Sequence, residues 1–293
     1  MLLNREIRSC DVKKAPCVLG SQRAFLFVMR HEHTIETCDR PCAWRRGARA
    51  LAHLGVLEAL EEAGVPIGAI AGTSGGSLVG AFYASKKYRI NQLIEEILDL
   101  RWWDWVRPSR SKEGLMDSHR IGRFLVKRLG PVSFSDLAVP FAAVACDLQT
   151  GQKVVIREGP LAPAVQASCS LPVVFTPTVI NGRRLVDGGY VSQIPVQTAR
   201  ESLKADWVIG VDVNYRARET ARPPNNVLQI AIHLASLWAR KNADEESRHA
   251  DIMIRVDARG IGLSELRKAK DLIQRGREAA RESLRDFSHR LGH

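Results

Sequence analysis

The sequence lacks the long apolar run that a membrane-spanning helix needs. Its 293 residues are 45% hydrophobic, yet no stretch reaches the ~18 consecutive apolar residues of a transmembrane helix. The early stretch AFLFVM (24–29) is too short, and begins too late, for a secretory signal. We therefore expect a protein of the cytoplasm, or one peripheral to the inner face of the membrane.

Ligand patterns for a metal are also missing. The chain has six cysteines, four of them within the first 42 residues. Without a signal for an oxidising compartment, we expect their thiols to be free. Cys38 and Cys42 have no second ligand pair at zinc spacing. We expect neither a metal nor a cofactor.

Acidic residues are outnumbered, with 32 Asp and Glu against 43 Lys and Arg and a net charge of +11. Such a charge favours anionic partners, which include acidic lipid headgroups and nucleic acids. The basic residues are scattered along the chain and no nucleic-acid recognition motif is present. We therefore expect no nucleic acid as partner, and salt-dependent retention on DNA would reveal one.

Regular structure is predicted to begin at Gly47. In residues 1–46 the apolar residues recur with neither the period of 2 typical of a strand nor the period of 3.6 typical of a helix. After residue 46, segments with strand and helix patterns alternate. This alternation favours an α/β fold with a largely parallel sheet, formed by one domain over 47–290 with a helical C-terminal part. Helices are predicted over 50–64, 75–87, 90–101, 118–129, 227–249 and 264–290. Strands are predicted over 65–73, 140–148, 153–159, 206–213 and 251–257, with a hairpin over 178–189 that turns at Asn181-Gly182.

One serine stands between glycines where a predicted strand meets a predicted helix. Gly72-Thr73-Ser74-Gly75-Gly76 fits the G-x-S-x-G pattern, in which a sharp turn exposes a nucleophile and larger side chains would collide with backbone. The helix that follows would place positive dipole charge beside a developing oxyanion. A structural or phosphate-binding turn is the alternative. Ser168 and Ser170 are the next candidate nucleophiles.

A histidine that could activate Ser74 is not evident among the eight in the chain. His53 lies in the first predicted helix, where a packing or capping role fits better. Asp187 ends a strand and is followed by Gly188-Gly189, so little bulk surrounds its carboxylate. A carboxylate can act as the base if it is close and partly desolvated. By itself, Val-Asp-Gly-Gly is more often a turn.

Together, these stretches resemble the patatin-like phospholipase family, particularly its bacterial members. The similarity lies in GARALAHLGVLEALEEAGVPIGAIAGTSGGSLVGAFYA (47–84), ASCSLPVVFTPTVINGRRLVDGG (167–189), ADWVIGVDV (205–213) and GIGLSELRKAKDLIQRGREAA (260–280). The resemblance implies a layered patatin-like fold with helices around the sheet. It also implies a serine–aspartate dyad without histidine, in which Ser74 attacks a fatty-acyl ester and Asp187 takes its proton. The implied substrates are phospholipids, lysophospholipids or simpler esters.

The oxyanion loop departs from that family. Members carry a glycine-rich turn of the form G-G-G-x-R-G, and this chain has Trp44-Arg45-Arg46-Gly47-Ala48-Arg49-Ala50. Losing donors aimed at the oxyanion typically costs ~10²–10³ in rate. The alternative function is therefore a catalytically weakened homologue that binds lipid or regulates.

A frame slip upstream of Gly47 would explain this departure. Codons for Asp39 to Gly47, read one nucleotide later, permit Ile-Gly-Leu-Ala-Leu-Gly-Gly-Gly, an apolar strand followed by a glycine loop. We hypothesise that residues 1–46 are out of frame.

Three tryptophans lie close to basic residues in LRWWDWVRPSRSKEG (100–114). Aromatic and basic side chains suit a lipid interface. Packing under a cap over the site is the alternative for Trp102, Trp103 and Trp105.

Overall fold

The computed structural model describes residues 25–30, 48–98, 108–215, 227–259 and 269–290. Helices and strands alternate through these ranges as the sequence predicts. The described α-helices are α1 (Ala52–Glu62), α2 (Gly75–Ala84), α3 (Ile90–Leu98), α4 (His119–Leu129), α5 (Leu161–Ser168), α6 (Val196–Ser202), α7 (Val227–Ser247) and α8 (Ala269–Arg290). The sequence predicted neither α5 nor α6, which are the two shortest.

The strands that the structure describes are β1 (Phe25–Arg30), β2 (Ile67–Thr73), β3 (Gly114–Met116), β4 (Phe141–Asp147), β5 (Lys153–Ile156), β6 (Val173–Phe175), β7 (Thr178–Ile180), β8 (Arg183–Asp187), β9 (Trp207–Tyr215) and β10 (Ile252–Asp257). Eight of these ten strands form a central sheet that is parallel over most of its width, and β3 and β6 form a separate two-stranded sheet. The central order is β10-β9-β1-β2-β4-β8-β7, with β5 also on β4. The first five of these strands run parallel, whereas β5, β7 and β8 pair antiparallel. The predicted α/β class is confirmed.

Strand β1 is an addition to the predicted fold. It lies within 1–46, where the sequence predicted no regular element, and it pairs in parallel with β2 on one side and β9 on the other. Six successive residues of β1 are in register with Trp207–Asp212. The N-terminal part of the chain therefore contributes to the middle of the sheet.

Two predicted chain reversals have the backbone conformation that the sequence predicts. Gly64 ends the first helical region with φ +71°, and Val65 N–H donates to Leu60 O at 2.9 Å, as in a glycine C-cap. Asn181 and Gly182 both have positive φ, 50° and 76°, which is the twist that a two-residue β-hairpin requires.

Helices α1 and α8 cross at close range through glycine. A Cβ on Gly55 would lie 1.8 Å from Ile273 O, and one on Gly276 would lie 2.1 Å from Ala52 O. Because real Cβ atoms do not approach backbone oxygen so closely, only glycine permits this contact. The C-terminal helix is thereby packed on the helix that precedes the candidate nucleophile.

The core lies between the sheet and its helices. All seven residues of β4 are buried, and α1 and α2 bury most of their length. A continuous strand burial of this kind is typical of a sheet covered on both faces. Among the described residues, no helix combines the length and apolarity needed to cross a bilayer.

Candidate active site

Ser74 occupies a strained turn between β2 and α2. Its φ of 53° and ψ of −127° are rare for a residue with a side chain. A Cβ on Gly72 would lie 2.7 Å from the Cα of Ser77, so the turn closes only over glycine. The predicted strand–turn–helix setting of Ser74 is confirmed.

Helix α2 directs its N-terminus toward Ser74. Gly75 and Gly76 form its first turn, where unpaired N–H groups and the helix dipole favour negative charge. The backbone N–H groups of Ser77 and Leu78 donate to Ser74 O at 2.8 and 3.2 Å. This arrangement can stabilise an oxyanion that forms beside the serine.

Register along β4 brings Ser74 and Asp187 together. Strand β2 pairs with β4 up to Thr73 opposite Val144, and β8 pairs with β4 from Asp187 opposite Ala145. Strand β5 pairs with residues 143–146 of β4, which include partners of both β2 and β8. Since a strand has two edges, β2 and β8 share the edge opposite β5. Their carboxyl ends meet there on consecutive residues of β4.

Asp187 is fully buried at this junction. Its Oδ1 accepts the N–H of Gly189 at 2.8 Å, and its own N–H donates to Ser170 O at 2.9 Å. A Cβ on Gly188 would lie 2.3 Å from Val144 O, so this turn also requires glycine. The predicted Asp-Gly-Gly turn thus lies against β4 beside the serine.

The two cysteine thiols near this site are held protonated. Burial, together with the negative charges of Asp147 and Asp187, raises the pKa of Cys146 to about 11. Burial and the Asp187 charge also raise the pKa of Cys169 far above its usual range. Neither thiol therefore competes with Ser74 as a nucleophile at neutral pH.

Ser168, the last residue of α5, holds the serine turn in place. Its Oγ accepts the N–H of Ser74 at 2.9 Å and donates to Val144 O at 2.6 Å. The Sγ of Cys169 donates to Ser74 O at 3.1 Å. Ser170 Oγ donates to Gln166 O at 2.8 Å. Both alternative nucleophiles are therefore bonded to backbone, and the sequence around 168–170 gave no local sign of this long-range contact.

Of the candidate oxyanion loop, only part lies within the described residues. Gly47 lies outside them, and Ala48 begins a 3₁₀ turn over Ala48–Leu51. Arg49 is 1% exposed, and its Nη1 donates to Oδ1 of Asn214 on β9 at 3.3 Å. Trp102, Trp103 and Trp105 also lie outside the described residues.

His53 is a buried residue of α1, and its imidazole does not titrate near neutral pH. It is fully buried, and its Nδ1 lies 2.9 Å from Ala50 O. Burial lowers its pKa to about 4, although the Ala50 hydrogen bond opposes the shift. The packing role predicted for His53 is confirmed. Within the described ranges, no group of three or more His, Cys, Asp or Glu residues could hold a metal ion.

Comparisons with known proteins identify the family to which the chain is similar. The family model "Patatin-like phospholipase" matches residues 46–200. An uncharacterized NTE family protein of Mycobacterium tuberculosis is 36% identical over 171 residues, which cover 57% of this chain and 47% of that protein. Lysophospholipase NTE1 of Pyricularia oryzae is 33% identical over 180 residues, covering 57% of this chain and 11% of that protein. The matches thus span about half or less of these relatives' length.

The fold also resembles a solved structure. The crystal structure of VipD from Legionella pneumophila superposes with a TM-score of 0.58, covering 91% of this chain and 67% of that one. Sequence identity over this superposition is 11%, so the likeness concerns the fold alone.

Proposed function

Because the chain belongs to the patatin-like phospholipase family, we propose that it hydrolyses fatty-acyl carboxylic esters through Ser74 and Asp187. The observation that carries this proposal is the convergence of β2 and β8 on Val144 and Ala145, which puts the strained serine turn beside a buried carboxylate. Phospholipids, lysophospholipids and simpler esters are the proposed substrates.

The reaction needs only the two side chains, the helix N-terminus and water. Ser74 Oγ attacks the ester carbonyl while its proton passes to the Asp187 carboxylate. The ester C–O bond then breaks, and the leaving alcohol takes that proton. A water molecule attacks the acyl-serine, Asp187 accepts the water proton, and that proton returns to Ser74 Oγ as the fatty acid departs. The first turn of α2, with Gly75 and Gly76, stabilises the negative oxygen at both stages.

The test compares substitutions of Ser74 and Asp187 with a control substitution of a serine at the far end of α2. Ser74→Ala should abolish hydrolysis of a p-nitrophenyl ester, Asp187→Asn should lower kcat by about 10²–10⁴, and both should keep the wild-type circular dichroism spectrum. Ser85→Ala is the control, because the Ser85 hydroxyl donates to Phe82 O at the far end of α2. A fluorophosphonate should label the wild type and the control, but not Ser74→Ala. Labelling of a folded Ser74→Ala would contradict the proposal.

The second candidate, a weakened homologue that binds lipid, is favoured by the residues before Ala48. Arg45 and Arg46 stand where the G-G-G-x-R-G loop of family members carries glycine, and they lie outside the described residues. Ester hydrolysis by this chain should be compared with a variant carrying the Ile-Gly-Leu-Ala-Leu-Gly-Gly-Gly loop. Activity only in the restored variant would support the weakened homologue. The nucleotide sequence tests the frame slip directly, since codons incompatible with that peptide would exclude it.

Two further expectations belong to this proposal. The net charge of +11 supports peripheral contact with an anionic lipid surface, which sedimentation with anionic and neutral vesicles would test. Residues 47–290 are proposed to fold as one domain together with β1, through which β9 and β10 join the sheet of β2 and β4. Limited proteolysis that released a stable fragment ending near residue 200 would contradict the single domain.

A further inference from the structure

A second carboxylate approaches the Ser74–Asp187 junction from α7. Ser192 Oγ donates to Oε1 of Glu246 at 2.7 Å and to its Oε2 at 2.9 Å. Ser192 is fully buried and Glu246 is half-buried, so this contact is partly shielded from solvent. Residue 246 also lies beyond the range 46–200 that the family model matches.

Ser192 connects both halves of the junction through its backbone. Its carbonyl accepts the Thr73 hydroxyl at 2.8 Å, and Thr73 precedes the candidate nucleophile. Its N–H donates to Gly188 O at 2.9 Å, and Gly188 follows the candidate base. One residue thus holds the end of β2 and the turn after β8, while Glu246 holds that residue.

We infer that Glu246 is a positioning residue, which fixes the separation of Ser74 and Asp187 by holding Ser192. The inference rests on the proposed dyad. A small displacement of either reacting group lowers the rate steeply, since ~1 Å can cost about 100-fold. Glu246 contacts neither reacting group, so its effect on the rate passes through Ser192.

The charge state of Glu246 changes close to neutral pH. Burial raises its pKa to about 7, opposed by the Ser192 hydroxyl, by Lys153 on β5 and by a backbone hydrogen bond from Ile194, while Glu245 adds to the rise. A hydrogen bond to a carboxylate is about twice as strong as one to a neutral acid. Ser192 is therefore held more firmly above pH 7 than below it.

The test compares Glu246→Ala and Glu246→Gln with Glu245→Ala, the exposed glutamate one position earlier on the same helix. Steady-state hydrolysis of a soluble p-nitrophenyl ester is measured from pH 5.5 to 9, to separate kcat from KM. At pH 8, Glu246→Ala should lose about tenfold in kcat with KM unchanged. Glu246→Gln keeps an acceptor for Ser192, so it should match the wild type at pH 6 and lack the rise across pH 7. Glu245→Ala should keep the wild-type kcat at pH 8, with the rise at slightly lower pH because Glu245 no longer raises the pKa of Glu246.

Hydrogen–deuterium exchange of the peptide over 187–195 gives a readout that does not depend on activity. Exchange there should be faster in Glu246→Ala than in Glu245→Ala, and the wild type should exchange faster at pH 6 than at pH 8 after correction for intrinsic rates. An active wild type whose kcat is unaltered by either Glu246 substitution would overturn the inference. If the wild type hydrolyses no ester, the proposed function fails. In that case, wild-type exchange of the 187–195 peptide in Glu246→Ala would still show that Glu246 does not hold Ser192. If Glu246→Ala does not fold, the pH profile of kcat for Glu246→Gln tests the inference instead.

Discussion

The hydroxyl of Ser168 joins the backbone of Ser74 to the carbonyl of Val144, with contacts of 2.9 and 2.6 Å. Val144 is the last β4 residue that pairs with β2, and the next residue pairs with Asp187. A non-glycine residue with positive φ costs about 1–3 kcal/mol. The strained conformation of Ser74 is thus held in part by a side chain that comes from α5, 94 residues away in sequence.

Ser168→Ala should lower both stability and catalysis. The substitution leaves a buried N–H and a buried carbonyl without this partner, at a cost of about 1–3 kcal/mol. We expect a reduced melting temperature and a reduced kcat, measured by thermal unfolding and ester hydrolysis. Ser85→Ala is the matched control, as the Ser85 hydroxyl donates to Phe82 O and accepts the Lys87 N–H, which are both local contacts. Wild-type values of both quantities in Ser168→Ala would show that the turn is held by other contacts.

Gly188→Ala should damage the junction severely. Its Cβ would lie 2.3 Å from Val144 O, and neither backbone can move without shifting Asp187 or β4. We expect at least a 100-fold loss of hydrolysis. The control is Gly151→Ala, where φ is +70° but no atom lies within 4 Å of the added Cβ. That change should cost about 1 kcal/mol of stability and little activity. Equal activities of the two variants would contradict the steric argument.

Asp187→Asn separates an aspartate base from a histidine base. The amide keeps the shape and can still bond Gly189, but it cannot take a proton at neutral pH. A loss of about 10²–10⁴ in kcat is expected, measured on protein with an unchanged melting curve. His53→Leu serves as the comparison and should retain most of the activity per folded molecule. A folded but inactive His53→Leu, beside an active Asp187→Asn, would identify histidine as the base.

His53 should make the fold sensitive to acid. Burial lowers its folded pKa to about 4, whereas the unfolded chain binds the proton near pH 6.5. The contribution of His53 to the free energy of unfolding is thus complete above pH 6.5 and is lost as the pH falls toward 4. Between pH 7 and pH 4.5 the loss should be about 2–3 kcal/mol. Urea unfolding at pH 7 and pH 4.5 should show a smaller difference in the free energy of unfolding for His53→Leu than for the wild type. The control is His249→Leu, which replaces an exposed histidine.

Local patterns in the sequence were sufficient to predict the serine turn and the aspartate turn. Gly72 and Gly188 mark places where backbone approaches backbone, and apolar runs before them mark the strands. The meeting of the two turns on β4 follows from register between residues 38 to 71 positions apart along the chain, which no local pattern records. The family resemblance supplied that pairing.

Other parts of the fold carried too weak a local pattern. Strand β1 is a short apolar run without turn residues on both sides, so its place between β2 and β9 depends on tertiary pairing. The contacts of Ser168 and Glu246 join residues distant in sequence through single hydroxyl or carboxyl groups. Serine and glutamate at such positions are indistinguishable from surface residues until the elements are packed.

The glycine crossing of α1 and α8 has a consequence during biosynthesis. Helix α1 is made early, yet the surface that it buries at Gly55 and Ala52 belongs to residues near 273 and 276. Contacts of such sequence separation form late, and unpaired apolar surface favours association in the meantime. A nascent chain would therefore keep this helix face unprotected until α8 has left the ribosome. Premature termination before α8 should yield products that chaperones retain or proteases remove.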